Sequence, residues 1–222
     1  MRYYTGTGDQ GTTDLLGDRV AKNDPIVEVL GSLDEATSSI GNGRAFATSE
    51  ELKSWLMETQ HDLYRILAEL AFTDEIRPDS FNFGADRVAW LEQVTDEIGS
   101  RFELPPHFIL PGDTIPGAAL DVARTVVRRA ERRAVDLQAV GSLHNQEIIR
   151  YQNRLSSLLF IAARYEDHLA GIATACARLE AAWAAMTPEG WAGEGLTVHG
   201  PVAATDLPFR RWRETVVHHA DL

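Results

Sequence analysis

The sequence predicts an all-α protein, a bundle of five long helices preceded by a glycine-rich N-terminal loop. Apolar residues recur three and four positions apart along five segments, the spacing of one helix face. Helix-start and helix-stop residues bound most of these segments, and no stretch alternates long enough to predict a strand. The 222 residues fit one large domain or one domain with an appendage. We therefore expect the bundle over residues 1–170 and a C-terminal extension over residues 171–222.

The first two helices have recognisable N-terminal signals. Residues 1–23 are rich in Gly, Thr and Asp and are expected to form a loop or extended arm. Asp24-Pro25 then predicts an N-cap followed by proline at the first helical position, and the helix is expected to fade at Gly41-Asn42-Gly43. The pattern Thr48-x-x-Glu51 predicts a capping box at the start of the second helix.

Three further helices follow. The third is expected over about 85–102, and the proline-rich stretch 105–112 predicts a rigid connector. The fourth helix is expected over about 114–139 and the fifth over about 143–170, with a pattern that is compatible with continuation through 171–186. The predicted apolar face of the fourth helix is Ala118, Val122, Val126 and Ala130.

Composition narrows the class of partner and the compartment. A net charge of -12 argues against non-specific binding to nucleic acid or to an anionic membrane, because both need an excess of Lys and Arg. The one cysteine, Cys176, permits no intrachain disulfide, which fits a reducing cytosol. No signal peptide and no apolar run of membrane-spanning length is visible. We expect a cytoplasmic protein without a membrane partner.

The fourth predicted helix carries five arginines and one glutamate between Ala123 and Arg133. Arg124, Arg128 and then Glu131 or Arg132 fall on one side, where like charges repel. Such a run is consistent with an anionic partner, and the planar guanidinium fork suits phosphate. Taken alone, the run is more typical of a solvated face or of ion pairs with acids elsewhere.

The N-terminal loop has the composition of a phosphate cradle. Three glycines and four threonines lie between Thr5 and Thr13, so backbone N–H groups and hydroxyls could approach an anion. The loop lacks the Gly-Lys-Ser/Thr ending of a Walker loop, and neither a strand before it nor a βαβ unit after it is predicted. By composition alone, a plain turn is the simpler interpretation.

Other constellations are weaker. Glu58-x-x-His61 supplies half of a di-iron motif, but no second Glu-x-x-His occurs, so His61 is interpreted as a structural polar residue. Phe108 in the connector is interpreted either as a core residue that anchors the loop or as a functional group. Asn153 on the fifth helix would need partners if buried, so it either orients a ligand or ties helices together.

Six motifs occur in order over about residues 3–168, and together they resemble the PduO-type ATP:cob(I)alamin adenosyltransferase family. They are Tyr4-Thr5-x-x-Gly8-Asp9-x-Gly11, Arg19-Val20-x-Lys22-x-Asp24-Pro25, Gly31-Ser32-Leu33-Asp34-Glu35, Phe108-Ile109-Leu110-Pro111-Gly112, Arg124-Thr125-x-x-Arg128-Arg129-Ala130-Glu131-Arg132-Arg133 and Asn153-Arg154-Leu155-Ser156. The resemblance implies a homotrimeric five-helix bundle with active sites between neighbouring subunits. It also implies transfer of the 5′-deoxyadenosyl group of ATP to the cobalt of reduced cobalamin, with Mg²⁺ as cofactor and triphosphate as product.

The resemblance further implies roles for individual residues. The ATP site would be lined by Thr5, Gly6, Thr7, Gly8, Thr13, Lys22, Arg128, Arg129, Glu131, Arg132 and Asn153. Phe108, Arg128 and Glu131 would be catalytic, and Glu131 would also bind the metal. Arg124 would pair with Asp34 of the next subunit. Phe108 would press on the lower face of the corrin and displace its axial base.

Two other function classes stay open at this point. The chain could be an escort that holds adenosylcobalamin and hands it to a mutase, with Trp191 and Trp212 of the extension serving docking. It could also be a trimeric ATP sensor without turnover. A reductase and an adenosylcobalamin-dependent mutase are the candidate protein partners of the enzyme.

Overall fold

The computed structural model describes residues 3–73, 76–192, 194–197 and 200–203 of the chain. Within these residues five long helices dominate: α1 (Pro25–Phe46), α2 (Glu50–Ala71), α3 (Ala85–Gly99), α4 (Ile115–Ala139) and α5 (Gln146–Ala184). A 3-10 turn (Asp79–Phe81) precedes α3, and a short helix α6 (Pro188–Ala192) follows α5. The predicted five-helix architecture is confirmed, and α5 does continue beyond residue 170. No described helix combines the length and the apolar character that a membrane crossing needs.

Short strands are present, so the prediction of a chain without strands is wrong. β1 (Thr12–Asp14) and β2 (Arg19–Ala21) form an antiparallel hairpin in which Asp14 lies opposite Arg19. β3 (Glu194–Thr197) and β4 (Gly200–Ala203) form a second hairpin near the C-terminus. Strands of three or four residues are too short for an alternating pattern to be recognised in a sequence. Trp212 lies outside the described residues.

The chain divides into two compact units, residues 1–168 and residues 169–222. The first unit contains the bundle, and its core is a continuous cluster of apolar side chains from all five long helices. The largest fully buried members include Leu33, Ile40, Leu56, Leu63, Leu91, Ile98, Leu120, Ile148 and Leu155.

The helix α1 begins as predicted and ends later than predicted. Asp24 caps it, accepting a hydrogen bond from the N–H of Ile26, and Pro25 is its first residue. The helix runs past Gly43 because α1 crosses α4 there at close range. A Cβ on Gly43 would lie 2.7 Å from Leu120 Cδ2, so this glycine permits helix packing instead of ending the helix.

The predicted capping box at Thr48 is displaced by one residue. Ser49 is the N-cap of α2 and accepts from the N–H of Leu52 at 3.3 Å. Thr48 donates through its backbone N–H and its hydroxyl to the carboxylate of Glu166 on α5, at 2.9 and 2.7 Å. A carboxylate from a distant helix therefore occupies the position that the local pattern assigned to Glu51.

The buried face of α4 also differs from the prediction. Val126 and Ala130 are buried as expected, but Val122 is 56% exposed and Ala118 is only partly buried. The buried stripe is completed by Leu120, Ala123, Val127, Ala134 and Leu137. Tertiary packing against α1 sets which stripe faces inward, and the apolar positions of α4 alone permit more than one.

Candidate functional site

The outward side of α4 carries two arginines without an acidic partner. Arg128 and Arg132 are exposed, and neither forms an ion pair within the part of the chain that the structure describes. The guanidinium of Arg132 folds back along the helix and donates to the backbone carbonyl of Arg128 at 2.9 Å. Both line an open cavity of about 560 Å³, together with Glu131 and Asn153. Unpaired guanidinium groups at a concave surface are suited to a phosphate chain.

The other arginines of α4 are engaged within the chain. Arg129 pairs with Glu35 on α1, and the hydrogen bond to that carboxylate raises the pKa of the guanidinium. Arg133 lies 3.3 Å from Glu28, which precedes Glu35 by about two turns of α1. The predicted phosphate-binding arginines thus fall into two groups: Arg128 and Arg132 have no ion pair in the described chain, whereas Arg129 is paired with α1. Arg129 nevertheless lines the same cavity.

Glu131 and Asn153 connect α4 to α5 at the base of this cavity. The side-chain amide of Asn153 donates to Glu131 Oε1 at 3.0 Å, and its oxygen accepts from Arg154 at 2.7 Å. Arg154 in turn donates to Glu92 on α3 at 2.8 Å. Asn153 is therefore held from both sides and fixes the carboxylate of Glu131. Of the two interpretations of Asn153, the helix tie is present in the structure.

The N-terminal loop brings its predicted site residues together. The hydroxyls of Thr5 and Thr7 lie 2.9 Å apart, and Gly6 has a positive φ of 74°. A Cβ on Gly8 would lie 3.0 Å from the ammonium nitrogen of Lys22, and the lysine side chain therefore packs directly against this glycine. Thr13 is half-buried in β1. Threonine hydroxyls, glycine backbone and the ammonium group of Lys22 therefore lie close together beside the hairpin.

Arg19 organises this loop and was missed as a functional candidate. Its guanidinium donates to the carbonyl of Thr7 at 2.6 Å, to Asp14 at 2.5 Å and to the hydroxyl of Thr12 at 3.1 Å. The sequence did contain a signal for this role. If the short segments Thr-Thr-Asp and Arg-Val-Ala form a hairpin, Asp14 and Arg19 lie opposite each other and are expected to form an ion pair.

The loop and the arginine face are not joined in a single chain. The hairpin attaches to the end of α2, where Leu16 exchanges backbone hydrogen bonds with Ala71 and Thr73 at 2.9 and 3.0 Å. Among the described residues, no hydrogen bond or ion pair links Thr5–Thr13 to the arginines of α4. The structure therefore brings the predicted ATP residues together as two groups.

Phe108 is 86% exposed, so it does not anchor the connector in the core of this chain. It lines a cavity of about 350 Å³ beside Arg124, Phe160 and Arg164. An aromatic ring held in water by a proline-flanked connector is available to an apolar ligand or to another chain.

The predicted inter-subunit pair, Asp34 with Arg124, is not formed inside one chain. Asp34 is exposed on α1, whereas Arg124 donates from Nε to Asp121 at 2.9 Å. That contact leaves the terminal nitrogens of Arg124 for another partner. The half motif Glu58–His61 spans 4.0 Å on an exposed face, and no group of three or more potential metal-binding side chains occurs in the described residues.

A further cavity of about 740 Å³ lies at the C-terminal end of α4, where Leu137 and Val140 line it. The buried carboxylate of Glu69 in its wall already accepts from the backbone N–H of Phe83 at 2.6 Å and from Asn145 at 3.0 Å. We place the candidate site at the arginine face instead, because unpaired cations, an ordered carboxylate and a carboxamide converge there.

Comparison with known proteins gives consistent matches over the first unit. The sequence profile of the family described as "Cobalamin adenosyltransferase" matches residues 3–166. A second profile, described as "Mycothiol maleylpyruvate isomerase N-terminal domain", matches residues 117–222, which overlaps the first and spans under half of the chain.

Individual relatives point to the same family. A corrinoid adenosyltransferase of Bacillus subtilis is 38% identical over 176 residues, covering 78% of this chain and 90% of the relative. The corrinoid adenosyltransferase PduO of Salmonella typhimurium is 38% identical over 169 residues, which cover 75% of this chain but only 50% of the relative. The chain thus spans about half the length of that relative.

Comparison with solved structures gives a match to a protein of the same kind. A variant of a PduO-type ATP:corrinoid adenosyltransferase from Lactobacillus reuteri, complexed with cobalamin and ATP, superposes with a TM-score of 0.71 at 36% sequence identity. The match covers 77% of this chain and 96% of that chain.

Proposed function

Because the chain belongs to the cobalamin adenosyltransferase family, we propose that it transfers the 5′-deoxyadenosyl group of ATP to the cobalt of cob(I)alamin. The electron pair of Co(I) forms the new bond to C5′, the bond between C5′ and the triphosphate oxygen breaks, and the products are adenosylcobalamin and triphosphate. The observation that carries this proposal is the pair of unpaired guanidinium groups of Arg128 and Arg132, beside the Glu131–Asn153 contact.

The protein contributes binding and electrostatics, since the cofactor-like substrate supplies the nucleophile. Arg128 and Arg132, with Arg129, bind the triphosphate and stabilise the negative charge that grows on the leaving oxygen. Asn153 orients Glu131 and contacts the nucleotide. These roles explain why a helix keeps like charges four residues apart.

Mg²⁺ fits this site as a metal shared between one protein carboxylate and substrate phosphates. Glu131 is the ordered carboxylate among the arginines, and Mg²⁺ commonly takes one or two carboxylates together with phosphate oxygens. When bound, the ion neutralises phosphate charge; Glu131 holds it, and Arg128 and Arg132 keep the remaining oxygens in place.

We propose a homotrimer with sites between neighbouring subunits. The loop residues Thr5, Gly6, Thr7, Gly8, Thr13 and Lys22 complete the ATP site from the adjoining copy. The separation of the two groups within one chain supports this, as do the exposed Asp34 and the partly exposed Arg124. Asp34 of one copy pairs with Arg124 of the next, which brings the loop of one subunit to the arginines of another.

Phe108 acts on the corrinoid in this proposal. Its exposed ring packs on the lower face of the corrin and displaces the axial base, and the cavity beside it supports such a contact. Removing the base lowers the electron density that the cobalt receives and eases its reduction. Replacing Phe108 by Ala should abolish the spectral change on binding and lower turnover.

We further propose a cytoplasmic location, with a reductase as electron donor and an adenosylcobalamin-dependent mutase as recipient. The single cysteine, Cys176, is compatible with a reducing compartment. Adenosyl transfer is assigned to residues 1–170, and residues 171–222 form a C-terminal extension.

The test is anaerobic incubation of the full chain with ATP, Mg²⁺ and chemically reduced cobalamin. We expect the adenosylcobalamin spectrum to appear with one triphosphate released per cobalt–carbon bond. Cobalamin binding without triphosphate release would instead support the escort function, and ATP binding without a cobalt–carbon bond would support the sensor.

A further inference from the structure

A chain of polar contacts joins the start of α4 to Arg124, and the function proposed above gives most of it no role. The hydroxyl of Thr114, the N-cap of α4, donates to Asp167 Oδ1 at 2.6 Å. Asp167 Oδ2 lies 3.2 Å from a terminal nitrogen of Arg164, and the same nitrogen donates to Asp121 Oδ2 at 2.6 Å. Asp121 Oδ1 accepts from Arg124 Nε at 2.9 Å. We call these five residues the Asp121 chain.

The Asp121 chain has a buried centre and is electrically balanced. Asp121 and Arg164 are each 5% exposed, and the charges alternate from Asp167 through Arg164 and Asp121 to Arg124. Buried ion pairs are a weak source of stability, since apolar residues of similar volume often do as well. Fixing one arrangement of the groups that they touch is the better explanation for keeping two carboxylates and two guanidiniums here.

A glycine makes the closest contact of this chain possible. A Cβ on Gly117 would lie 2.8 Å from Thr114 Oγ1 and closer still to Asp167 Oδ1. The backbone N–H of Gly117 also donates to Thr114 Oγ1 at 3.0 Å. Asp167 therefore reaches the N-cap because position 117 has no side chain, and α4 keeps a weak helix former near its start for that purpose.

The Asp121 chain touches both sides of the cavity that holds Phe108. Asp121, Arg124 and Arg164 line this cavity, and Phe108 and its connector line it as well. The connector ends at Thr114, which is the first member of the chain. Movement of the connector relative to Arg124 would therefore have to break a buried hydrogen bond or ion pair.

We propose that Asp121, Arg164 and Asp167 are positioning residues that hold the Phe108 connector and the guanidinium of Arg124 in one fixed arrangement. This inference rests on the proposed function, because it assigns the cavity at Phe108 to the corrinoid. Changes at the Thr114–Asp167 end of the chain leave the contact between Asp121 and Arg124 in place, so their effect should fall on the connector and the corrinoid. The phosphate-facing arginines, Arg128 and Arg132, are not members of the chain.

The experiment uses the full chain with Asp167→Asn, Thr114→Val and Thr114→Ser. The readouts are the Kd of cob(II)alamin from its absorbance with ATP present, the KM values for cob(I)alamin and ATP, and kcat. Thr114→Val removes the donor to Asp167, and Asp167→Asn removes the charge that faces Arg164. Each should raise the corrinoid Kd and KM about tenfold, the loss expected for one hydrogen bond to a charged group. The KM for ATP should stay within about twofold. Thr114→Ser keeps the hydroxyl and should restore corrinoid binding.

Gly117→Ala tests the same chain without removing a polar group. It should weaken corrinoid binding as Asp167→Asn does, because its methyl group displaces Asp167 from Thr114. Gly99→Ala is the matched control, since a Cβ at Gly99 meets nothing within 4 Å. In addition, Thr114→Val combined with Asp167→Asn should cost less than the sum of the two single changes, as expected for two residues in direct contact.

A structural role alone would lower thermal stability and the active fraction while leaving both KM values and the Kd unchanged, and that result would overturn the inference. Equal rises in the KM values for ATP and corrinoid would overturn it as well. An inactive parent chain would refute the proposed function and this inference together. An active parent with unaltered variants would refute this inference alone.

Discussion

Two pairs of arginines on α4 differ only in what α1 places opposite them. Arg129 and Arg133 pair with Glu35 and Glu28, whereas Arg128 and Arg132, one position earlier in each case, form no ion pair with a described carboxylate. Residue type, helix and four-residue spacing are the same in both pairs. Both pairs line the same cavity, so the comparison teaches that the neighbouring helix determines which charges are left for a ligand: α1 neutralises one pair and leaves the other unpaired.

The largest effect should come from removing an unpaired guanidinium. Arg128→Ala should lower kcat/KM for ATP by about 100- to 1000-fold, as expected for loss of one donor to a developing anion. Arg133→Ala removes the same group from the α1-facing pair and should change kcat/KM by less than about threefold. Steady-state kinetics under anaerobic conditions measures both. Comparable losses in the two variants would contradict the division of the arginines.

The acidic residues of α1 also include one that is paired within the described residues and one that is not. Asp34 is exposed without an ion pair in the described chain, while its neighbour Glu35 is paired with Arg129. Asp34→Arg should reduce activity about tenfold or more and weaken assembly, because it places two cations together between subunits. The additional change Arg124→Asp should restore assembly through the inverted pair but only part of the activity, because it also removes the contact between Arg124 and Asp121. Sedimentation and kinetics report the two effects, and failure of the double variant to recover would argue against the pairing.

Glu131 and Glu92 are both acids that touch the Asn153–Arg154 pair, but only Glu131 lies among the arginines. Glu131→Gln keeps an acceptor for Asn153 and removes the charge, so the Mg²⁺ concentration for half-maximal rate should rise about tenfold. Glu92→Gln is the control, and its Mg²⁺ dependence should match that of the parent. A shift in both titrations would mean that Glu131 acts through helix packing.

The smallest effect should come from releasing an arginine of the paired set. Glu35→Gln frees Arg129 beside the cavity and should lower the KM for ATP by up to about twofold at low salt. The change should disappear at high salt, because exposed charges are screened. Glu50→Gln, which breaks an exposed pair with Lys53 on α2, should have no such salt-dependent effect. An unchanged KM at low salt would show that Arg129 is already fully available.

The local signals of the sequence located most helices. Asp24-Pro25 set the start of α1, and Val88, Leu91, Val94 and Ile98 form the buried face of α3 as the spacing predicts. What failed depended on distant contacts. The extent of α1 is decided by Leu120 against Gly43, and the cap of α2 is shared with Glu166 of α5. Neither partner can be identified from local spacing.

The candidate site was predictable as a set of residues and not as a geometry. The motifs named Arg128, Glu131, Asn153 and Lys22, and the structure groups the first three at one cavity. The sequence could not divide the arginines, since the division depends on the antiparallel packing of α1 against α4. The Asp121 chain was missed because Thr114 and Asp167 are far apart in sequence and meet only in the folded bundle.

The carboxylate of Glu166 has a consequence for how the bundle is made. It accepts from the backbone N–H groups of Thr48 and Ser49, which lie more than a hundred positions earlier in the chain. During synthesis, the entrance to α2 stays without this acceptor until the ribosome has delivered the second half of the protein. The bundle should therefore gain its full cooperativity late, when α5 docks, and fragments that end before Glu166 should have a frayed second helix.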